Sequence, residues 1–530
     1  MPVPFNAGRF ACALDSPPHD LSSLPLAARL ALLDTAPAGS PFSLYGAVWQ
    51  SSALHLRPSE LAPYRSQGDP LADAALLSLR SLGSQACPDS SHSLQAAAAA
   101  GDAACSALLA SASCAPAWVC WERIHHGSSV FTDNLPLFGV CLLNLSLLGG
   151  YGSPMINEVL RSSGGLVSSS APGCPYSSSS SSARRRIMET LQFVSDTCCG
   201  GKGALQPGGR GWRSALCVRL LHSRVRAKFH PTSTSTPAEV PINASDLLAT
   251  SLSFSLVPLL GLERTGLAAH LCTQDMADVL HLWRYIGHLL GVPSELCVPP
   301  AAQSGAEAEL RHAQAQLESL VSASFLFSPE QGQGGQAGLT QAALLTATLA
   351  AVSWQPPMPW WGPRQHAAIT AALAGQQYAA ALGVLHCADR LQALHPLPPS
   401  RRASGSWQLP LWAPAALLAC CLGAAAAGVQ LPGGLPARAA LYAGGAAAGA
   451  VAALQLLRWL CAPPALAASM EGVEGEGSRL LAPLRAWQLL QRCCPFPVRA
   501  GLRALQRRGL GALLRVELGS PDSVAFRHVV

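Results

Sequence analysis

The feature that most constrains the fold is the helical spacing of apolar residues across the central part of this 530-residue chain. Side chains three and four positions apart share one face of an α-helix, so this spacing predicts amphipathic helices. Strand-like alternation of comparable strength is not seen in the sequence, and we therefore predict an all-α fold. The predicted helices span Leu135–Leu148, Pro154–Arg161, Arg184–Thr197, Trp212–Phe229, Ala244–Leu260, Thr273–Leu290, Glu307–Phe325, Leu339–Ala351 and Pro363–Leu382.

Composition divides the chain into four regions. Residues 1–115 are rich in Ala, Ser and Leu and predict a poorly constrained region with short helices. Residues 116–390 hold nearly all of the His, Trp and Arg patterning and predict one helical domain. Residues 403–462 are Ala-, Leu- and Gly-rich and almost uncharged, and residues 463–530 form an Arg-bearing basic tail.

The uncharged region predicts a transmembrane helical hairpin. A spanning helix needs about 20 mainly apolar residues, and both Trp407–Leu431 and Ala439–Leu460 are long enough. Arginines precede and follow the region, with only Arg438 between the two segments, so the positive-inside rule puts the large domain and the tail on the cytoplasmic side, or on the stromal or matrix side of an organelle. A buried pair of Ala-rich helices is the alternative.

The charge of the chain also indicates which kinds of partner it binds. Charged residues make up 12% of the chain, well below the roughly 25% usual in soluble proteins, which favours membrane association. The net charge of +6 is spread along the chain and gives no sign of a nucleic-acid surface.

One predicted helix carries a candidate iron ligand. His222 has Arg219 one turn before it and Arg226 one turn after it, on an otherwise apolar segment. A neutral imidazole nitrogen binds metals, and two guanidinium groups suit carboxylates, so the set is compatible with haem, which has an iron and two carboxylates. The same spacing also fits a hydrogen-bonded core histidine.

Two further groups of side chains are candidates for chemistry. Arg186, Glu189 and Thr190 share one face of a predicted helix. A third helix carries His281, followed by the run Trp283-Arg284-Tyr285. Spacing alone leaves open whether these faces are functional or structural.

The order and wording of the motifs resemble a known family, over roughly residues 116–385. It is the catalytic domain shared by the rubber oxygenases (latex clearing proteins) and the fungal membrane-bound MpaB-type oxygenases. The motifs are Trp121-Glu-Arg-Ile-His125-His126-Gly127, Phe131, Asn134, Ser146-Leu-Leu-Gly149-Gly150-Tyr151, Glu158-Val-Leu160, Arg186-x-x-x-Thr190, Pro207-Gly-Gly209, Val218-Arg-Leu-Leu-His222-Ser-Arg-Val-Arg226, Pro241-Ile-Asn243, Phe254-Ser255, His281-Leu-Trp283-Arg284-Tyr285-Ile-Gly287 and Gly375-Gln-Gln-Tyr378-Ala-x-Ala381-Leu382-Gly383.

The resemblance implies an all-helical domain that holds one haem b, with His222 as the proximal iron ligand. It also implies that Arg186 and Thr190 lie on the distal side of the haem, and that Arg219 or Arg226 pairs with the haem propionates. Rubber-cleaving members have a lysine directly before the threonine, where this chain has Glu189. A carboxylate cannot replace that neutral amine, so the resting iron is expected to be open or water-bound.

The chemistry implied by the resemblance is the use of dioxygen to cleave or oxidise an alkene. The expected substrate is an apolar isoprenoid or prenylated molecule, and the expected location is a membrane of the endoplasmic reticulum or of an organelle. Glu158 and Glu189 are the candidates for a general base.

Two other functions stay open from the residues. Glu122-x-x-His125 and Asp278-x-x-His281 have the carboxylate–histidine spacing of di-iron helical bundles, which predicts a non-haem di-iron oxygenase. The second alternative is a haem-binding membrane protein without catalysis, to which Glu189 gives support. A visible spectrum distinguishes the three.

Overall fold

A computed structural model describes residues 14, 16–82, 90–163, 177–229, 239–297, 305–326, 336–355 and 361–394, with scattered residues between 480 and 518. The described part is mainly helical, which confirms the predicted all-α class. The helices are α1 (Leu26–Thr35), α2 (Pro58–Arg65), α3 (Pro70–Ser81), α4 (Ser90–Ala99), α5 (Ala103–Ser113), α6 (Trp121–Asp133), α7 (Leu135–Cys141), α8 (Leu148–Gly150), α9 (Pro154–Ser162), α10 (Ser177–Cys198), α11 (Arg210–Lys228), α12 (Ala244–Arg264), α13 (Thr273–Leu289), α14 (Ser294–Cys297), α15 (Ala306–Ser324), α16 (Gln336–Val352), α17 (Pro363–Ala374), α18 (Gln376–Leu382) and α19 (Val384–Leu394).

A small sheet lies near the N-terminus. Its strands are β1 (His19–Asp20), β2 (Pro41–Leu44) and β3 (Ala47–Gln50), with β1 parallel to β2 and β2 antiparallel to β3. Tyr45 and Gly46 connect β2 to β3 with φ angles of 48° and 89°, the two positive values that a type I′ hairpin turn requires.

The N-terminal region is more ordered than its composition predicts. Helices α3, α4 and α5 pack against one another, and both α3 and α4 contact α11. Leu61, Leu94 and Leu108 from this region are fully buried in the main hydrophobic core. The described residues of 1–115 therefore form part of the helical domain.

Helices α6 and α13 pack closely against each other. A Cβ at Gly127 of α6 would lie 2.2 Å from the carbonyl oxygen of Asp278 on α13, so only glycine allows this approach. Arg123 of α6 donates hydrogen bonds to Asp278 and to Glu309 of α15. Helix α13 also packs against α12 and α11, so these contacts join the helices around the candidate site.

Two predicted helices contain irregularities that the apolar spacing does not show. Residues Leu142–Leu147, between α7 and α8, form a π-helical segment. The predicted helix Pro363–Leu382 is broken at Gly375, whose φ of 98° ends α17 and begins α18.

Among the described residues, one helix, α12, is long and apolar enough to cross a membrane. Two pairs of helices with a sharp bend between them also pass this test if each pair is counted as one span, which gives up to three candidate spans. However, 61% of the most apolar window of α12 is buried inside the protein, and this helix contacts α13 and α15. The predicted hairpin at 403–462 lies outside the described residues.

Part of the basic tail packs on the helical domain. Leu480, Leu481 and Leu484 are buried in the main core. Arg503 forms an ion pair with Asp133 at the end of α6, and Glu517 forms one with Arg184 of α10. The chain therefore returns to this domain after residues 403–462.

Candidate active site

Helix α11 packs on α10 near the loop that joins them, and His222 lies three turns further along α11. Gly211 marks this contact, because a Cβ there would lie 2.6 Å from the carbonyl oxygen of Asp196 on α10. Ala215, Val218 and His222 follow Gly211 at intervals of four, three and four residues and so share the same face.

Arg186 and Thr190 lie on the corresponding face of α10. A Cβ at position 211 would also lie 3.0 Å from the Cα of Thr197, so Thr197 is on the side of α10 that faces α11. Counting back from Thr197 at helical spacing gives Phe193, Thr190 and Arg186. Helical spacing from Thr197 thus puts Thr190 and Arg186 on this side of α10.

The two helices form an antiparallel hairpin that is closed at one end. They pack against each other and are joined by residues 199–209. Arg186 and His222 each lie twelve residues from the end of their helix next to this loop, and so at about the same level. Gly211 allows close contact near the loop, whereas Thr190 is exposed and Arg186 and His222 are only half-buried.

His222 has the properties of a potential metal ligand. Its Nδ1 atom is buried without a hydrogen-bond partner among the described residues. Burial, and then the nearby Arg226 guanidinium, lower the pKa of His222 to about 4, against a smaller opposite effect of Asp69. The imidazole is therefore neutral at pH 7, which is the form that binds a metal.

Arg219 and Arg226 have carboxylate partners within the protein. Arg219 donates two hydrogen bonds to Asp69, with N–O distances of 2.6 and 3.0 Å, and both side chains are buried. Arg226 donates to both oxygens of Asp73 and to the carbonyl of Ile242. These guanidinium groups therefore join α11 to the start of α3.

The sequence analysis missed both carboxylates because they lie about 150 positions away, in the region expected to be poorly constrained. A local signal for Asp69 does exist. It precedes Pro70 and accepts a hydrogen bond from the backbone N–H of Ala72, which makes it the N-cap of α3. That pattern indicates a helix start, but not the partner on α11.

On α10, Glu189 is buried between two arginines. Its carboxylate accepts a hydrogen bond from Arg185 at 3.1 Å and lies 3.8 Å from Arg186. Burial lowers the pKa of Arg186, and the Glu189 charge opposes that effect. Thr190 donates its hydroxyl proton to the carbonyl of Arg186, at 3.0 Å. The three predicted residues are therefore in one local network.

The other general-base candidate is separate from this network. Glu158 lies on α9 and accepts a hydrogen bond of 2.9 Å from Arg161 of the same helix. The Arg161 hydrogen bond lowers the pKa of Glu158. It is accordingly a weak base.

The run Trp283-Arg284-Tyr285 of α13 packs this helix against its neighbours. Trp283 is buried and stacks on Phe254 of α12, with ring centroids 4.9 Å apart. Arg284 forms an ion pair with Glu309 of α15. Tyr378 donates to the carbonyl of Gly149 at 3.0 Å, which brings two further motifs into contact.

The di-iron residues do not assemble into a metal site. Glu122 is exposed, and Asp278 is paired with Arg123 and His126. His281 Nε2 accepts the backbone N–H of Cys120 at 3.0 Å. Within the described ranges, no three His, Cys, Asp or Glu side chains lie close enough together to hold a metal ion.

Comparison with known proteins identifies the class of protein to which this chain belongs. Residues 143–406 match the catalytic domain described as that of the ER-bound oxygenases MpaB and MpaB′ and of rubber oxygenase. With the helical fold, this match defines an oxygenase, and hence an oxidoreductase. The chain belongs to this MpaB and rubber oxygenase family.

One solved structure is also similar to the chain, that of latex clearing protein in its closed state. The two share 16% sequence identity with a TM-score of 0.44, and the match covers 80% of this chain and 91% of the other. No curated protein matches the chain.

Proposed function

We propose that the protein is a membrane-associated haem b oxygenase that uses dioxygen to cleave or oxidise an alkene in an apolar isoprenoid or prenylated substrate. The observation that carries this proposal is His222, a neutral imidazole whose buried Nδ1 has no hydrogen-bond partner among the described residues. Membership of an oxygenase family supplies the reaction class.

The chemistry of the residues fits a haem whose iron His222 would hold, because its imidazole is neutral and its buried Nδ1 has no hydrogen-bond partner among the described residues. Arg186, which lies 3.8 Å from Glu189, would face the bound haem in this proposal. When bound, haem supplies the iron that activates dioxygen. Arg219 and Arg226 act as positioning residues, because their ion pairs with α3 fix the helix that carries His222.

Arg186 and Thr190 act on the reacting oxygen in this proposal. A partly desolvated guanidinium group stabilises negative charge as it develops on dioxygen, and the Thr190 hydroxyl can donate its one proton there after it turns away from the Arg186 carbonyl. Glu189 serves to hold Arg186. A buried carboxylate beside two guanidinium groups is poorly suited to accept a proton.

We also propose that residues 403–462 anchor the protein in the membrane of the endoplasmic reticulum or of an organelle, with the catalytic domain on the cytoplasmic, stromal or matrix side. The uncharged composition of this region and the flanking arginines support this. Carbonate extraction should leave the full chain in the membrane. Protease added to sealed membranes should digest a catalytic domain on the cytoplasmic side, whereas a stromal or matrix domain should be digested only after the organelle membrane is opened. Release by carbonate would contradict the anchor.

The function is tested on the full chain purified in detergent. We expect about one haem per chain in a pyridine haemochrome assay, and oxygen consumption when a prenylated substrate is added. Two irons per chain without a Soret band would support the di-iron alternative. Haem without oxygen consumption on any prenylated substrate would support the non-catalytic alternative.

A further inference from the structure

The C-terminal tail presents one helix face to the catalytic domain. The described residues from 503 to 518 are helical. Positions 503, 507, 510, 514 and 517 follow one another at intervals of four, three, four and three residues, and so share a face that we call the tail face. Leu514 of this face is buried, whereas Arg508 and Arg515, which point away from it, are exposed. The tail face is therefore the side that packs on the domain.

Two contacts give the direction of the tail face along α10. A Cβ at Gly201, in the loop after α10, would lie 3.9 Å from Nη1 of Arg507. Arg184, near the start of α10, donates a hydrogen bond of 2.9 Å from its Nε to Glu517. The tail face thus runs antiparallel to α10, from the loop to the part of α10 that carries Arg186.

Arg184 joins three elements at this end of α10. Its Nη1 donates to the carbonyl of Ala351 on α16, at 3.4 Å, and its other nitrogens donate to Glu517. The side chains of Arg184 and Glu517 are only 13% and 21% exposed. Without the Glu517 charge, a mostly buried guanidinium group would gain by moving toward water, and the helix turn that carries it would move too.

Arg186 is the third of three consecutive arginines, whose charges repel one another. Burial, and to a smaller extent the Arg185 charge, lower the pKa of Arg186. Glu189 lies 3.1 Å from Arg185 and 3.8 Å from Arg186. Glu517 sets a further carboxylate against Arg184. The tail thus contributes to the charge balance of the helix turn that carries Arg186.

We propose that Glu517 is a positioning residue for Arg186. By holding Arg184, it fixes the turn of α10 that begins there, and with it the place of the Arg186 guanidinium group two residues further on. The effect on the reaction rests on the proposed function of Arg186, whereas the hold on α10 does not.

The test uses the full chain in detergent with Glu517→Gln, which keeps the size of the side chain and removes its charge. Amide hydrogen exchange in a peptide covering residues 184–190 should become at least about fivefold faster. The turnover number should fall about tenfold at unchanged KM and haem content, because a misplacement of about 1 Å can cost up to about a hundredfold. Glu517→Asp keeps the charge and should restore both values to within about twofold of wild type.

Arg503→Gln is the matched control, because it removes the ion pair with Asp133 at the far end of the tail face. Arg503 lies fourteen residues before Glu517, about 21 Å along a helix. This variant should change exchange at 184–190 and turnover by less than about twofold. If Glu517→Gln does not fold, Arg184→Gln tests the same ion pair from the α10 side.

Three results would overturn the proposal. Exchange at 184–190 could be unchanged in Glu517→Gln, it could rise as much in Arg503→Gln, or turnover could stay at the wild-type value while exchange rises. If the wild-type chain consumes no oxygen, the proposed function fails, and the exchange measurement still decides whether Glu517 positions this turn of α10.

Discussion

The Arg219–Asp69 pair shows how one residue of a functional motif can serve the fold. Both side chains are buried, and two hydrogen bonds join them. Because Asp69 also caps α3, the pair fixes α11 to the start of that helix, one turn from His222. The arginine next to the candidate ligand therefore sets its position.

Replacing Arg219 with methionine should lower the free energy of unfolding by about 3–5 kcal/mol, because Asp69 would keep a buried charge without a partner. Urea denaturation followed by circular dichroism measures this. The double variant Arg219→Met with Asp69→Asn should recover part of the loss, because asparagine is neutral and still caps a helix. A single-variant loss below about 1 kcal/mol would argue against a structural role for the pair.

Arg186 is expected to act on the reaction and not on haem binding. Arg186→Gln should reduce the oxygenase turnover number by about a hundredfold, the usual scale for loss of one preorganised donor. Haem content should stay at the wild-type level, because His222 is unchanged. Oxygen consumption per haem is the measurement, and a variant with full turnover would remove Arg186 from the proposed chemistry.

At the scale of elements, apolar spacing predicts most of the helices well. The predicted segment Ala244–Leu260 begins where α12 begins, and Thr273–Leu290 ends within one residue of α13. Spacing could not show the break at Gly375 or the π-helical segment, because both depend on contacts from other helices. His366 of α17, for example, holds Asn144 within the π-helical segment.

The candidate site was predictable to a similar extent. Helical spacing predicted helices that carry Arg186, Thr190 and His222, and α10 and α11 are those helices. The roles of these residues stay a prediction. The partners of Arg219 and Arg226 come from a distant part of the chain, and a periodic pattern carries no information about such pairs. The burial that lowers the pKa of His222 likewise depends on the packed helices around it.

The close contact at the loop end of the hairpin should be sensitive to a single methyl group. Gly211→Ala would place a Cβ 2.6 Å from a backbone oxygen of α10, which requires the helices to move apart. We expect a loss of about 1–3 kcal/mol in the free energy of unfolding. Gly139→Ala in α7 is the matched control, because a Cβ there meets no atom within 4 Å. Equal effects of the two substitutions would contradict the packing described.

At the scale of the whole molecule, both ends of the chain contribute to the helical domain. The N-terminal helices hold α11 through Asp69 and Asp73, and residues near the C-terminus pair with α6 and α10. The catalytic unit is therefore larger than the matched residues 143–406.

Buried histidines should make the domain sensitive to acid. Burial lowers the pKa of His281, His312 and His366 to about 4. Unfolded histidines titrate near pH 6.5, so between about pH 6.5 and 4 the unfolded chain binds more protons and the free energy of unfolding falls as pH falls. His366→Gln should reduce the slope of stability against pH by about 1.4 kcal/mol per unit in this window. Urea titrations at several pH values measure the slope, and an unchanged slope would contradict the assignment.

The most direct test of the central claim is the haem content of His222→Ala, measured by pyridine haemochrome assay on the full chain in detergent. His281→Ala is the matched control, since His281 is a buried histidine of similar pKa that bonds only to the backbone of Cys120 among the described residues. His222→Ala should lose the Soret band, while His281→Ala should keep about one haem per chain. Full haem content in His222→Ala, or loss of haem only in His281→Ala, would contradict it.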